Sequence, residues 1–182
     1  NGQEVAIGET RHFNLDKPFR KLKEDVTQND IQKSKGKPIN VEAISFEGPL
    51  ISRSVVDRIG LPEKNMFIFW DDTVYSYRAY NAKFSILLVP KAKLYKEDLR
   101  VLGKEYKKRS WKYPYMLRNM TFFVTENAKG ICKKIIFCKI FAIYFGGVCL
   151  HLLKRDHKYT IHDIDVVKEA FFDGLKGVLG KY

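Results

Sequence analysis

An α/β domain over residues 1–110 followed by a helical extension over 111–182 is the fold class this chain predicts, and three observations predict it. Short apolar runs alternate with short helical patterns through the first half, the order that builds an α/β sheet with covered faces. Past Arg100 the strand signals give way to long helical patterns. The excess charge also sits in one block: residues 91–155 carry 16 basic and 4 acidic groups, while the whole chain is +12. With 182 residues, 45% of them hydrophobic, the chain can bury a core and does not have a disordered composition.

The elements follow in order. Residues 4–7 read as a short strand. Residues 17–37 are polar and carry Pro18 and Gly36, so they read as a long loop. Residues 41–46 make a strand closed by Gly48-Pro49. Ser52 caps a helix whose apolar face is Val55, Val56 and Ile59, and Gly60 and Pro62 end it. Residues 66–70 read as a strand, 74–80 as a helix, and 84–89 as a continuous apolar strand of the kind buried on both faces. Pro114 is placed to start a helix over 115–125. Residues 131–153 form a long helix that is apolar on most sides. Thr160 or Asp163 opens the last helix, with Ile164, Val167, Phe171 and Val178 as its stripe.

The three cysteines, Cys132, Cys138 and Cys149, have no metal-ligand spacing and lie in the apolar helix. They read as buried reduced thiols, which suits a reducing cytosol. His12, His151, His157 and His162 form no site by spacing. The chain opens on Asn1-Gly2-Gln3, which reads as a turn tip, so it is expected to be a segment of a longer protein.

The most informative feature is Asp71-Asp72, two acids between a bulky apolar run ending in Trp70 and a helix. Two readings stay open at this point. The pair caps the helix and gains from its positive end, or it works as a general base at a pocket that Trp70 walls.

The order of features around this pair resembles a known family. Phe46-Glu47-Gly48-Pro49-Leu50-Ile51-Ser52-Arg53, Val56, Ile59-Gly60-Leu61-Pro62, Phe67-Ile68-Phe69-Trp70-Asp71-Asp72, Tyr75-Ser76-Tyr77-Arg78 and Val89-Pro90 resemble the second half of an inverting GT-A glycosyltransferase of the family 2 type. The Trp-Asp-Asp form is most similar to the galactofuranosyltransferase branch, with rhamnosyltransferases close by. The run from Trp111 to Asn119 resembles the aromatic-Arg-Asn helix of these enzymes, and Phe172 to Gly177 their common tail. The likeness covers residues 40–182, and its specific part is the block from Gly60-Leu61-Pro62 to Asp71-Asp72.

The resemblance implies a partial GT-A sheet, the acceptor side of the catalytic domain, and a helical C-terminal extension that docks on a membrane or self-associates. It implies transfer of a sugar, galactofuranose or rhamnose, from a nucleotide-diphosphate donor to a glycan or lipid-linked acceptor with inversion, in cell-envelope polysaccharide synthesis. Asp72 matches the general base, and Asp71 positions the acceptor or tunes its neighbour. Glu47 and Gly48 lie where the acceptor approaches, Trp70 stacks on a sugar face, and Arg118 and Asn119 join the substrate-binding set. Lys96 stands where the galactofuranosyl branch has a metal-binding His. A protonated ammonium cannot ligate a metal but can pair with phosphate. The divalent metal, Mg or Mn, is expected only in a full-length enzyme, with none held by this chain. The one Asp-x-Asp here, Asp163-Ile164-Asp165, reads as a helix cap. The chain alone is therefore expected to be inactive.

The basic block leaves three readings: an anionic membrane surface, a solvated face, and a nucleic-acid face built on Lys107, Lys108, Arg109 and Lys112 with Tyr106 and Trp111. The membrane is preferred, because the basic segment runs straight into the apolar helix. Lys133 and Lys134 sit near one end of that helix and Lys139 interrupts it, so it is expected to lie in the headgroup region or to be buried between other helices, as in a homo-oligomer, and not to span. The expected location is the cytoplasm, peripheral on the inner face of the cell membrane. The rival class is a non-catalytic basic module that binds nucleic acid or an anionic membrane.

Overall fold

Three left-handed backbone positions within four residues, and one buried Asn, shape this chain more than its strands do. The computed structural model describes residues 9–94, 111–156 and 159–181. Among the described residues the fold is mixed α/β and mostly helical, with two small two-stranded sheets. The chain divides into two compact units. The first holds described residues 9–14, 21–63 and 71–94. The second holds Leu15–Arg20, Lys64–Trp70 and the described residues after 110. Two short segments from the first half of the sequence thus belong to the helical unit.

In the first unit, β1 (Thr10–Phe13) pairs antiparallel with β2 (Lys23–Asp25), and β3 (Ile39–Asn40) pairs antiparallel with β4 (Leu87–Leu88). A bridge between Thr10 and Ala43 joins the two ladders. The strand expected over 41–46 does not form: β3 precedes that run, which holds only the bridge at Ala43, and the strand expected over 84–89 shrinks to Leu87–Leu88. Leu87 and Val89 are half exposed, which corrects the expectation of a strand buried on both faces. The segment 17–37, expected to be loop, contains β2 and α1 (Gln28–Ser34). Thr27 and Asp30 close a capping box on α1: the Thr27 side chain accepts from the Asp30 N–H, and the Asp30 carboxylate accepts from the Thr27 N–H at 2.9 Å. No residue of α1 is buried, which is why no apolar periodicity announced it.

α2 (Arg53–Ile59) begins and ends as its sequence dictates. Ser52 accepts from the Ser54 N–H, and Gly60, at φ 78°, returns its own N–H to the Val56 carbonyl. α3 (Asp71–Asn81) buries Val74, Tyr75, Ser76 and Ala79. Phe13 meets Tyr77 edge-on at 5.1 Å between ring centroids, which ties β1 to this helix. Residues 4–7 lie outside the described residues.

In the second unit, α4 (Tyr113–Asn127), α5 (Gly130–Leu153) and α6 (His162–Lys176) pack together, with Pro114 in the first turn of α4. Leu117, Phe123 and Val124 of α4 and Val167, Ala170 and Phe171 of α6 form the core. Gly174 is where α4 and α6 come closest: a Cβ there would sit 2.4 Å from the Arg118 carbonyl oxygen and 2.7 Å from Thr121 Cβ. Gly174→Ala must push backbone against backbone. It is expected to cost about 1–3 kcal/mol, read as a lower denaturant midpoint. Asp163, in the first turn of α6, accepts from the Thr160 N–H at 2.7 Å, while the N-cap Ile161 makes no side-chain cap bond. Val178 is half exposed and lies past the stop at Gly177, so it leaves the stripe assigned to it.

Residues 66–70 are not a strand. A 3-10 turn (Lys64–Met66) leads into Phe67, Phe69 and Trp70 at φ 64°, 61° and 65°. Left-handed backbone costs an L-residue roughly 1–2 kcal/mol at each position, and it cannot continue a ladder. The carbonyls are satisfied from the side. The Asn119 amide donates to Met66, Ile68 and Phe69 at 3.0, 2.9 and 2.8 Å, and Arg118 Nη2 donates to Met66 at 3.2 Å.

Only Ile136, Ile140 and Val148 of the 24 residues in α5 are buried. By length and composition the helix could cross a membrane. The cysteines are free, but none is fully buried and Cys138 is exposed, which corrects the reading of sealed thiols.

Candidate active site

The acids open α3. Asp71 and Asp72 are its first two residues, and both are half-buried. Asp72 Oδ1 accepts from the Thr73 N–H at 2.6 Å and from the Thr73 hydroxyl at 3.2 Å, and the carboxylate also accepts from the Phe46 N–H. Ser76, one turn on, donates to the Asp72 carbonyl at 2.7 Å and accepts from the Ile44 N–H at 3.3 Å. Phe46 lays its ring edge-on to Tyr75 at 5.9 Å, and the Tyr75 hydroxyl donates to the Gly60 carbonyl at 2.9 Å. The segment 44–46 is thereby stitched to the first turns of α3. Glu47 and Gly48 follow immediately, both exposed, with Gly48 at φ 77° turning the chain. Asp71, Asp72, Glu47 and Gly48 are thus brought into one neighbourhood of the first unit.

Capping and acid–base chemistry were both open for this pair, and the proton affinities separate two kinds of aspartate. Asp30 behaves as a cap: its hydrogen bonds to Thr27, backbone first, hold its carboxyl below the usual value. Asp72 makes cap-like bonds too, yet its carboxyl is raised. Burial is the largest cause, the neighbouring Asp71 charge adds to it, and the Thr73 and Phe46 bonds oppose it without winning. A carboxylate offers about four lone-pair sites, so Asp72 keeps acceptor capacity beyond these bonds.

The remaining expected site residues fall elsewhere. Trp70, half-buried, pairs with buried Phe123 of the helical unit, centroids 5.3 Å apart. Arg118 and Asn119, expected in the substrate-binding set, are both buried. Arg118 Nε donates to Asn119 Oδ1 at 2.9 Å, and Nη1 donates to the Gly180 carbonyl at 2.6 Å. With the Asn119 bonds to 66–69, the polar groups of both residues hold that segment and the C-terminal turn in place. Lys96 lies outside the described residues, as do Tyr106, Lys107, Lys108 and Arg109 of the basic segment. Among the described residues no three His, Cys, Asp or Glu side chains come together to hold a metal ion.

One polar cluster escaped the sequence reading. Glu42 is buried, meets His12 Nδ1 at 2.9 Å and accepts from the Phe13 N–H at 2.8 Å. Its charge raises the Tyr80 hydroxyl above its usual value. The acid alternates with Val41 and Ala43, which in sequence looks like an outward strand position.

Compared with known protein families, with characterised proteins and with solved structures, the chain matches none.

Proposed function

We propose that this chain forms the acceptor side of an inverting GT-A-type glycosyltransferase, galactofuranosyltransferase- or rhamnosyltransferase-like, working at the inner face of the cell membrane. The observation that carries the reading is the half-buried Asp72, whose proton affinity is raised despite the hydrogen bonds around it. An acceptor hydroxyl beside the 46–48 turn gives its proton to the Asp72 carboxylate as its oxygen attacks the anomeric carbon of a nucleotide-diphosphate sugar. The bond from that carbon to the diphosphate oxygen breaks on the opposite face, and the diphosphate leaves with the electron pair. Asp71 adds negative charge near a carbon that becomes oxocarbenium-like. A base that binds its proton more tightly than a free carboxylate is better matched to an alcohol. Among the described residues no three candidate metal ligands stand together, and no step here passes through a metal.

Transfer from UDP-galactofuranose and from nucleotide-linked rhamnose to a lipid-linked glycan, by the protein that contains this chain, tests the reading. Loss of transfer in Asp72→Asn supports it, and undiminished transfer removes it. The one Asp-x-Asp of this sequence, Asp163-Ile164-Asp165, lies in the first turn of α6, where Asp163 accepts from the Thr160 N–H, and we assign it no nucleotide-holding role. Calorimetry on residues 1–182 is therefore expected to show weak UDP binding with no dependence on Mg or Mn. Tight metal-dependent binding would place the donor site inside this chain. Steeply salt-dependent affinity for DNA or RNA, in place of transfer, would favour the rival binding module.

A further inference from the structure

Phe19 is 86% exposed, the second-highest exposure among the large hydrophobic side chains described. It is held, not left trailing. Its loop, Leu15–Arg20, is fastened to α5 within the helical unit: Lys139 Nζ donates to the Pro18 carbonyl at 3.3 Å and to the Arg20 carbonyl, and Cys132 Sγ donates to the Asp16 carbonyl at 3.5 Å. Pro18 is buried and Phe19 points away from the packing.

The same bonds dispose of the cation inside the apolar helix. Lys139 spends its ammonium on two carbonyls of its own unit. At about 100° per residue, Ile131, Cys138, Ala142, Cys149 and Leu153 share the outward face of α5, with Cys132 and Lys139 about a quarter turn away on its flank. Ile131 is 67% and Leu153 79% exposed. Between Ile135 and Leu153 that face carries no charge. The Phe19 loop borders it.

We propose that the Leu15–Arg20 loop and the outward face of α5 form one docking surface for an anionic lipid bilayer, with Phe19 as the inserting anchor. This deepens the membrane placement proposed above and does not depend on the transferase chemistry.

Charge selects the occupant. Residues 15–20 and 129–139 carry Lys17, Arg20, Lys129, Lys133, Lys134 and Lys139 against one acid, Asp16. The far end of α5 adds Lys154 and Arg155, while Asp156 there is held by His151 at 3.1 Å. A second copy of this helix, parallel or antiparallel, would set cations against cations. Anionic headgroups complement both ends, and the aromatic ring and apolar face suit the acyl boundary.

Flotation of the full chain with vesicles of phosphatidylcholine, alone or mixed with phosphatidylglycerol, tests this without donor or acceptor. The wild type is expected to float with the anionic vesicles and to be released by salt. Phe19→Ser should weaken partitioning about tenfold, Phe19→Trp should retain it, and the melting temperature of both should stay put because the side chain is exposed. Equal flotation of Phe19→Ser and wild type, or no flotation at all, overturns the proposal. So does self-association that Phe19→Ser abolishes in a chain with no vesicle affinity, which would make the surface a dimer face. Flotation of this chain, together with no sugar transfer by the protein that contains it, would sink the transferase reading and leave this one standing.

Discussion

Asp72→Asn is expected to lower sugar transfer about 10²- to 10⁴-fold, the usual contribution of a positioned acid–base group, while making the fold slightly more stable at neutral pH. The second half of that expectation comes from the site's electrostatics. The folded carboxyl is raised above its ordinary value of 3.8, chiefly by burial. From pH 3.8 up to its folded value, the native state therefore holds a proton that the unfolded chain has released. Stability falls as pH rises through that window, and above it the ionised group opposes folding in full. Asparagine keeps an oxygen for the Thr73 and Phe46 N–H groups and removes the charge. Thermal melts of the two proteins should coincide in acid and separate as pH rises, with the variant higher. A variant that melts lower at neutral pH would mean that the carboxylate is a net stabiliser like Asp30, and the pair would return to a capping role.

The helices were legible where their end chemistry is local. Ser52 and Gly60 bracket α2, and Pro114 starts α4, because capping oxygens, a positive φ and a missing N–H act within one turn. α1 obeys the same rules through Thr27 and Asp30, but it was missed for want of a buried face. The strands failed differently. Apolar content marked 66–70 and 84–89, yet strand formation depends on which backbone groups lie alongside, and that is set far away in sequence. For the site, the order Glu47, Gly48, Asp71, Asp72 was readable. The Phe46 N–H that reaches Asp72 was not, because it depends on Ser76 drawing Ile44 onto α3. The Arg118-Asn119 motif stood out in sequence, but its partners, four backbone carbonyls, carry no sequence signature.

Asn119→Ala is expected to destabilise the helical unit by about 3–5 kcal/mol, the range of a broken buried polar network. Three carbonyls, of Met66, Ile68 and Phe69, share its amide as donor, and the Arg118 Nε–H uses its oxygen as acceptor. Alanine removes these bonds from the Ile68 and Phe69 carbonyls and from the Arg118 Nε–H at once, and leaves Met66 only its bond from Arg118 Nη2, in a place with no exposure. The loss compounds with backbone strain, since Phe67, Phe69 and Trp70 stay left-handed only while those bonds outweigh roughly 1–2 kcal/mol at each position. Once released, the segment can relax toward extended backbone, and Trp70 then leaves Phe123. Two readouts should therefore move together: the denaturant midpoint falls, and Trp70 emission shifts to the red, with Trp111→Phe used as background to isolate the signal. Asn119→Asp is the sharper variant. It keeps the size and the acceptor for Arg118 but donates nothing to the carbonyls, so it should be nearly as damaging as alanine. If Asn119→Asp instead retained wild-type stability, the donation to 66–69 would not be what holds those residues left-handed, and the strain there would need another source.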